Sequence, residues 1–371
     1  MTVLTVGVGM QFTTIAAAVK AAAAGDTVAV NAGLYVNDWV YVNKPLSLVA
    51  VGGMVRMQAT VQPPNQKAML ITGVSGTTMT INISGFEVWG VRVGDQNGAA
   101  VRYEGGNLNL KDVYFHDNQE GLLANPQALG NISIDHSEFD HNGSNGYSHN
   151  IYVNKLASFT LKNSYVHDAI VGHEVKSRAD SNFITGNRIQ NNGGSGSYNV
   201  DLPNAGNAQI TGNTIQQGAN SENVFIIAYG EEGASNLGRQ VSIAGNTIVN
   251  DMASSKGVLN KSTSSLPYTN NKEFAVGIDS GPLAESGTIQ LASRPFVDTA
   301  KMQFVISGTV TPPPPAPTMT LAEYHADVTK DFFAWMPKVS SAVFSAAIPI
   351  YMKEVTSTTV LGIIPGDVWS V

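Results

Sequence analysis

Short runs of alternating apolar and polar residues recur along most of the chain at a nearly constant interval. Six segments line up: LKDVYFHDN, IDHSEFDHN, LKNSYVHDA, ITGNRIQNN, ITGNTIQQG and IAGNTIVND. Their bend residues, Asp112, His136, Asn163, Asn187, Asn213 and Asn246, are 24, 27, 24, 26 and 33 positions apart, by subtraction of their numbers. The apolar residues that follow them are Phe115, Phe139, Val166, Ile189, Ile215 and Ile248. Alternation with period two predicts strands, and the Gly and Asn residues between runs predict bends. A unit this short leaves no room for two helices and matches one coil of a parallel β-helix. A single coil cannot bury its own inner face, so coils stack about 4.8 Å apart and share one core. Asn in four successive bends is expected to form an amide ladder that satisfies backbone groups.

A second strand per coil follows from the segments EGLLANP, HNIYVNK, HEVKSRA and YNVDLPN. Leu122, Ile151, Val175 and Val200 stack inward in this reading, so the residues between them face out. Near the N-terminus the period changes: Phe12, Ile15, Val19 and Ala22 make a helical stripe that Gly25 is placed to stop. After Lys261 the repeat loosens, although GTIQLASRPFVDTAKMQFVISG still has strand character. TPPPPAP, Thr311 to Pro317, reads as a stiff linker. Beyond it Thr320 and Glu323 form a capping box before a stripe of Leu321, Tyr324, Val328, Phe332 and Trp335. The expected division is a parallel β-helix over 1–308, a linker over 309–317 and a helical or mixed tail over 318–371. A tail this short and apolar is expected to dock on the β-helix, on a copy of itself or on a larger assembly.

The stretch VGMQFTTIAAAVKAAAAGDTVAVNAGLY resembles the start of right-handed parallel β-helix proteins of the pectin-lyase-like superfamily. In those proteins a short amphipathic helix caps the core. The segments around HNIYVNK, HEVKSRA and YNVDLPN are similar to β-helix repeat proteins of the uncharacterised bacterial and phage type, and the resemblance covers residues 1 to 261. It implies an all-β fold and a connection to carbohydrate, with no fixed reaction.

Composition narrows the function. The chain has 371 residues, 37 Gly, 13% charged residues and a net charge of −7. An acidic chain lacks the basic face a general nucleic-acid binder needs. Zero cysteines exclude disulfides and thiolate chemistry. MTVLTVGVGMQF lacks the pattern of a secretory signal, and SSAVFSAAIPIYM is too short to span a bilayer. The expected location is extracellular or particle-associated, reached by another route.

Against this charge-poor background the outer positions of the second strand concentrate polar groups. Asn150, Tyr152 and Asn154 belong to one coil, Glu174, Lys176 and Arg178 to the next, and Asn199 and Asp201 to the third. Tyr152, Lys176 and Asp201 become vertical neighbours. His149, His173 and Tyr198 form a column at the strand start, placed by parity with the inward residues. AYGEEGASNLGR adds Tyr229, Glu231 and Glu232 on a turn that overhangs the same face. A tyrosine offers a stacking plane for a sugar, and amides and charges offer hydrogen bonds.

Three functions fit. A lyase or epimerase acting on a uronate needs a cation for the carboxylate, a base for the C5 proton and an acid for the leaving oxygen. Lys176 or Arg178 supplies the first, and Tyr152 or His173 the others. A hydrolase would use Glu174 with Asp201. The rival is a non-catalytic adhesion or structural subunit, such as a particle-mounted spike, oligomeric and held by its tail. At the preceding bend His116, Asp140 and His167 make one column and Asp117, His141 and Asp168 the next. These pairs suit divalent ions, but they follow no metal-ligand spacing. No cofactor is expected; calcium is left open, without a supporting motif.

Overall fold

The computed structural model describes residues 1–308, apart from 127, 128, 146, 238, 239 and 255. The linker and tail expected over 309–371, with the capping box and apolar stripe, lie outside the described residues. The described chain is a parallel β-helix. Its strands form a nine-stranded sheet and a 21-stranded sheet whose strands Thr27–Val36 and Leu46–Gln58 run through a bend. Each coil therefore contributes to three parallel ladders.

One inward column runs through Leu110, Ile134, Leu161, Ile184, Ile210 and Ile243. The second is Phe115, Phe139, Val166, Ile189, Ile215 and Ile248, in the register expected from the repeat. The third is Leu122, Ile151, Val175, Val200, Ile227 and Val258. All three meet in one buried cluster. At about 1.5–3 kcal/mol per buried side chain, this shared core is the dominant stabilising term.

The bends follow from backbone conformation. Asp112, His136 and Asn163 have φ of 52°, 47° and 52°, and Gly186, Gly212 and Gly245 continue the same column at 67°, 65° and 65°. Asp, Asn, His and Gly are the residues that tolerate this left-handed region. Asn163 thus belongs with Gly186, one position before the ladder, which corrects the alignment with Asn187. The amide ladder is Asn187, Asn213, Asn246 and Asn271. Each Oδ1 accepts the backbone N–H and Nδ2 of the Asn before it, at 2.9–3.0 Å. Ser164 and Ser137 extend it downward, Ser164 donating its N–H to Asn187 at 2.9 Å.

The N-terminal helix forms over Ile15–Ala21, with Ile15, Ala18 and Val19 buried in the main core. The Thr14 hydroxyl accepts from Ala17 N at 3.3 Å, and Asp38 accepts from Ile15 and Ala16 at 2.5 and 3.1 Å. These bonds satisfy donors that a helix start leaves open.

Past Lys261 the coils continue through strands Leu266–Thr269, Lys272–Phe274, Leu283–Ser286 and Ile289–Gln290. Of the stretch expected to be strand over 287–308, only Ile289–Gln290 is one. The remainder crosses back over earlier coils. Asp298 pairs with Arg188 at 2.9 Å, Met302 N donates to Glu138 at 2.7 Å, and Ile306 packs on the core.

Candidate functional site

On the outer side of the nine-stranded sheet, Tyr152, Lys176 and Asp201 are direct register partners, as expected. Simple alternation fails two positions earlier. At the corner entering each strand, two successive residues turn inward. Met69, Ala100 and Ile226 occupy this corner position in the apolar coils and lie in the main core. Asn150, Glu174 and Asn199 occupy it in the polar coils, each no more than 1% exposed. Their placement on the outer face is therefore corrected: they serve the bend. Asn150 Nδ2 donates to His167 O and to Glu174 Oε2, and Ala169 N donates to Glu174 Oε1. Asn199 Nδ2 donates to Gln216 O. Burial raises the Glu174 pKa to about 8, against the opposing bonds from Ala169 and Asn150. Both Glu174 oxygens are thus engaged within the bend, apart from the group around Lys176.

The same corner sends the preceding residues outward, which corrects the inward placement of His149, His173 and Tyr198. Their rings stack as a column, 4.8 Å between the imidazoles and 5.1 Å from His173 to Tyr198. His173 N donates to His149 Nδ1 at 2.9 Å, and Tyr198 N donates to His173 Nδ1 at 3.1 Å. A nitrogen that accepts a backbone N–H cannot carry a proton, so each neutral ring holds its hydrogen on Nε2. Burial lowers the His173 pKa to about 3, with Lys176 adding to the effect, and takes His149 well below its ordinary value. His173 is consequently a neutral donor, with Nε2 3.4 Å from Asp201 Oδ2. Glu120 continues this column below His149, accepting its N–H at 2.9 Å, and burial raises its pKa well above the carboxylate range. The signal for Glu120 was its place at the head of EGLLANP.

The cationic centre lies beside this column. Lys176 Nζ is 3.1 Å from Asp201 and 2.8 Å from Glu232. Arg178 donates to Tyr152 Oη at 3.0 Å, to Asn204 at 2.8 Å and to the other oxygen of Glu232 at 2.5 Å. Both cations approach the Tyr152 ring, at 5.9 and 5.8 Å. Asp201 is fully buried, and its Oδ1 has no hydrogen-bond partner among the described residues. Burial raises the Asp201 pKa to about 7 despite Lys176. For Lys176 burial acts against the charge, but Asp201 and Glu232 outweigh it and the pKa is raised.

The remaining expected residues are placed variously. Asn154 donates to Ala124 O at 2.9 Å. Tyr229 is no part of the overhanging turn: it ends strand Phe225–Tyr229, lies in the core and donates to Gly206 O at 2.6 Å. Glu231 does lie on the turn and accepts from Tyr198 Oη at 2.6 Å.

The second bend carries the His and Asp columns. His116, Asp140 and His167 are register partners, and Asp117, His141 and Asp168 follow at φ of 54°, 48° and 52°. His167 lies between Asp168 at 2.8 Å, Glu138 at 3.2 Å and Asp140 at 3.3 Å. Burial works against its charge, but Asp168 and Glu138 outweigh it and raise the pKa to about 9. The returning segment closes this face, with Lys301 Nζ 3.3 Å from Asp140 and 2.5 Å from Tyr114 Oη.

Among the described residues, two groups bring possible metal-ligand atoms within 4.8 Å of one another: Glu138, Asp140 and His167, and Asp201, Glu231 and Glu232. An ammonium enters each group: Lys301 reaches Asp140 in the first, and Lys176 reaches Asp201 and Glu232 in the second.

No helix among the described residues is long and apolar enough to cross a membrane. No protein-family model matches the chain, and no curated protein does. Among solved structures, it is similar to the A-modules of two mannuronan C-5 epimerases of Azotobacter vinelandii, AlgE6 and AlgE4. Each alignment covers 77% of this chain and 97% of the other at 14% identity, with TM-scores of 0.42 and 0.34.

Proposed function

We propose that the face around Tyr152, Lys176, Arg178 and Asp201 binds an acidic polysaccharide and removes the proton beside its carboxylate, as a lyase or an epimerase. The observation that carries this reading is the convergence of Lys176 and Arg178 on the two oxygens of one carboxylate, that of Glu232. A uronate presents the same pair of oxygens. Abstraction of its C5 proton sends negative charge onto that carboxylate, where the two cations receive it. Tyr152 Oη takes the C5 proton after giving up its own to solvent, with Arg178 beside it to balance the charge of the phenolate. Asp201 carries a proton for part of the time near neutral pH. It returns that proton to the leaving oxygen in an elimination, or to C5 in an epimerisation. His173, held as an Nε2–H donor, orients Asp201 and serves as neither base nor acid.

A second reading is supported by the full burial of Asp201 and the closed set of ion pairs around it. The face is then a structural ladder in a glycan-binding or adhesion subunit, anchored by the tail. Retention on immobilised acidic and neutral polysaccharides separates the two, using the wild type and Arg178→Ala. Specific retention of an acidic polymer that Arg178→Ala loses, with the melting temperature within a few degrees of wild type, supports the site. Equal retention by both proteins removes the cationic pair from the function.

A further inference from the structure

We infer that Glu232 is a built-in competitor, a carboxylate of the chain itself that occupies the place of the substrate's carboxylate until a polymer displaces it. This rests on the proposed acidic-polysaccharide site and adds its regulation. Glu232 contributes one oxygen to Lys176 at 2.8 Å and the other to Arg178 at 2.5 Å, so a carboxylate of the chain already bridges the two cations. Beneath it Asp201 is sealed, with one oxygen unpartnered. A substrate carboxylate cannot bridge the same two cations while Glu232 stays in place.

Gly230 and Gly233 flank the two glutamates at φ of 77° and 96°. Residues with this freedom absorb a hinge rotation at small cost. The ends of the turn are anchored, by Gly230 N to Leu202 O at 2.9 Å and by Asn236 N to Asn204 O at 3.1 Å, while its tip is held by Glu232 N to Pro203 O at 3.1 Å and Tyr198 Oη to Glu231 at 2.6 Å. The Glu232 side chain is 42% exposed, so water and salt reach the latch and its ion pairs are weak enough to exchange.

An intramolecular carboxylate competes at high effective concentration. A single free uronate therefore displaces it poorly, whereas a chain that engages the face at several sugars displaces it well. The structure thus assigns a preference for polymer over monomer, arising from the latch.

The test uses the full chain and two variants, Glu232→Gln and Glu232→Ala. Galacturonate, oligogalacturonides of increasing length and polygalacturonate are titrated, with dextran as the neutral control. Hydrogen exchange of the turn is measured without ligand. The inference predicts faster exchange at 230–237 in both variants, about tenfold tighter binding of short oligomers and a flatter dependence on length. Dextran binding stays unchanged. If the wild type binds polygalacturonate and neither variant binds short oligomers more tightly, the competitor role is overturned while the acidic-polysaccharide site stands. If exchange quickens but no form of the protein binds any polyuronate, the site itself is overturned and Glu232 is a structural latch.

Discussion

The backbone N–H of His173 donates to Nδ1 of His149 at 2.9 Å, and this bond fixes which nitrogen of the buried imidazole carries a proton. Tyr198 repeats the contact on His173 one coil later. The stacking of coils thereby turns two histidines, ordinarily proton carriers near neutral pH, into permanent donors.

An acid-sensitivity follows. In the unfolded chain these histidines take protons below their ordinary pKa of 6.5, whereas folded His173 stays neutral until about pH 3. The unfolded state binds more protons through that window, so stability falls as pH drops from 6.5 toward 3. Nitrogen NMR of the imidazoles should show the Nε2–H tautomer for both rings at pH 5. An imidazolium signal at that pH contradicts the ladder.

The neighbouring bend has the opposite sign. His167 has its pKa raised to about 9, so its ionic contacts stabilise fully below 6.5 and are lost as pH rises through 9. The difference in melting temperature between wild type and His167→Gln should therefore be largest below pH 6.5 and shrink toward pH 9. Lys301→Ala should quicken hydrogen exchange in 298–306, because Lys301 ties that segment to Asp140 and Tyr114.

Two asparagines one column apart should respond in opposite ways. Asn213→Ala leaves Asn187 N and Ile184 O without partners inside the bend and should cost about 1–3 kcal/mol. Asn163 sits at φ 52°, where glycine is at ease, so Asn163→Gly should be nearly neutral or slightly stabilising. Denaturant unfolding of the two variants checks the register of the ladder directly.

Glu174 provides a negative control for catalysis. Its carboxyl is sealed in the corner with its pKa raised to about 8, so it is mostly protonated at neutral pH. Glu174→Gln should keep the fold and gain stability relative to wild type progressively as pH rises from 4.5 to about 8, the range in which the unfolded carboxyl has lost its proton and the folded one has not, with no further gain above that. Any turnover should persist in this variant, and its abolition would return Glu174 to the active group.

The coil stack was legible in the sequence because a period-two alternation repeated at coil length has few other structural solutions. The inward columns through Phe115 and Leu122 follow from it without error. Tyr152, Lys176 and Asp201 aligned for the same reason. What the pattern could not show is the corner, where two successive residues turn inward and parity stops reporting direction. That is why His149 and Glu174 were each assigned to the wrong side. Asn163 was misplaced by one position because Asn suits both a left-handed bend and an amide ladder, and the sequence does not distinguish them. Contacts that depend on chain return, such as Lys301 on Asp140, leave no local signal at all.

The central claim is that this face takes a proton from C5 of a uronate, and it is tested most directly by incubating polyuronates with the protein in deuterium oxide. Proton NMR of the polymer follows the C5 signal and the appearance of unsaturated ends. The account predicts loss of the C5 proton signal, with unsaturated ends if the protein is a lyase and inverted C5 configuration without them if it is an epimerase. Tyr152→Phe should abolish the loss while leaving the polymer bound. An undiminished C5 signal for every polyuronate, at enzyme concentrations equal to the sugar, would contradict the claim and leave the face a binding or structural surface.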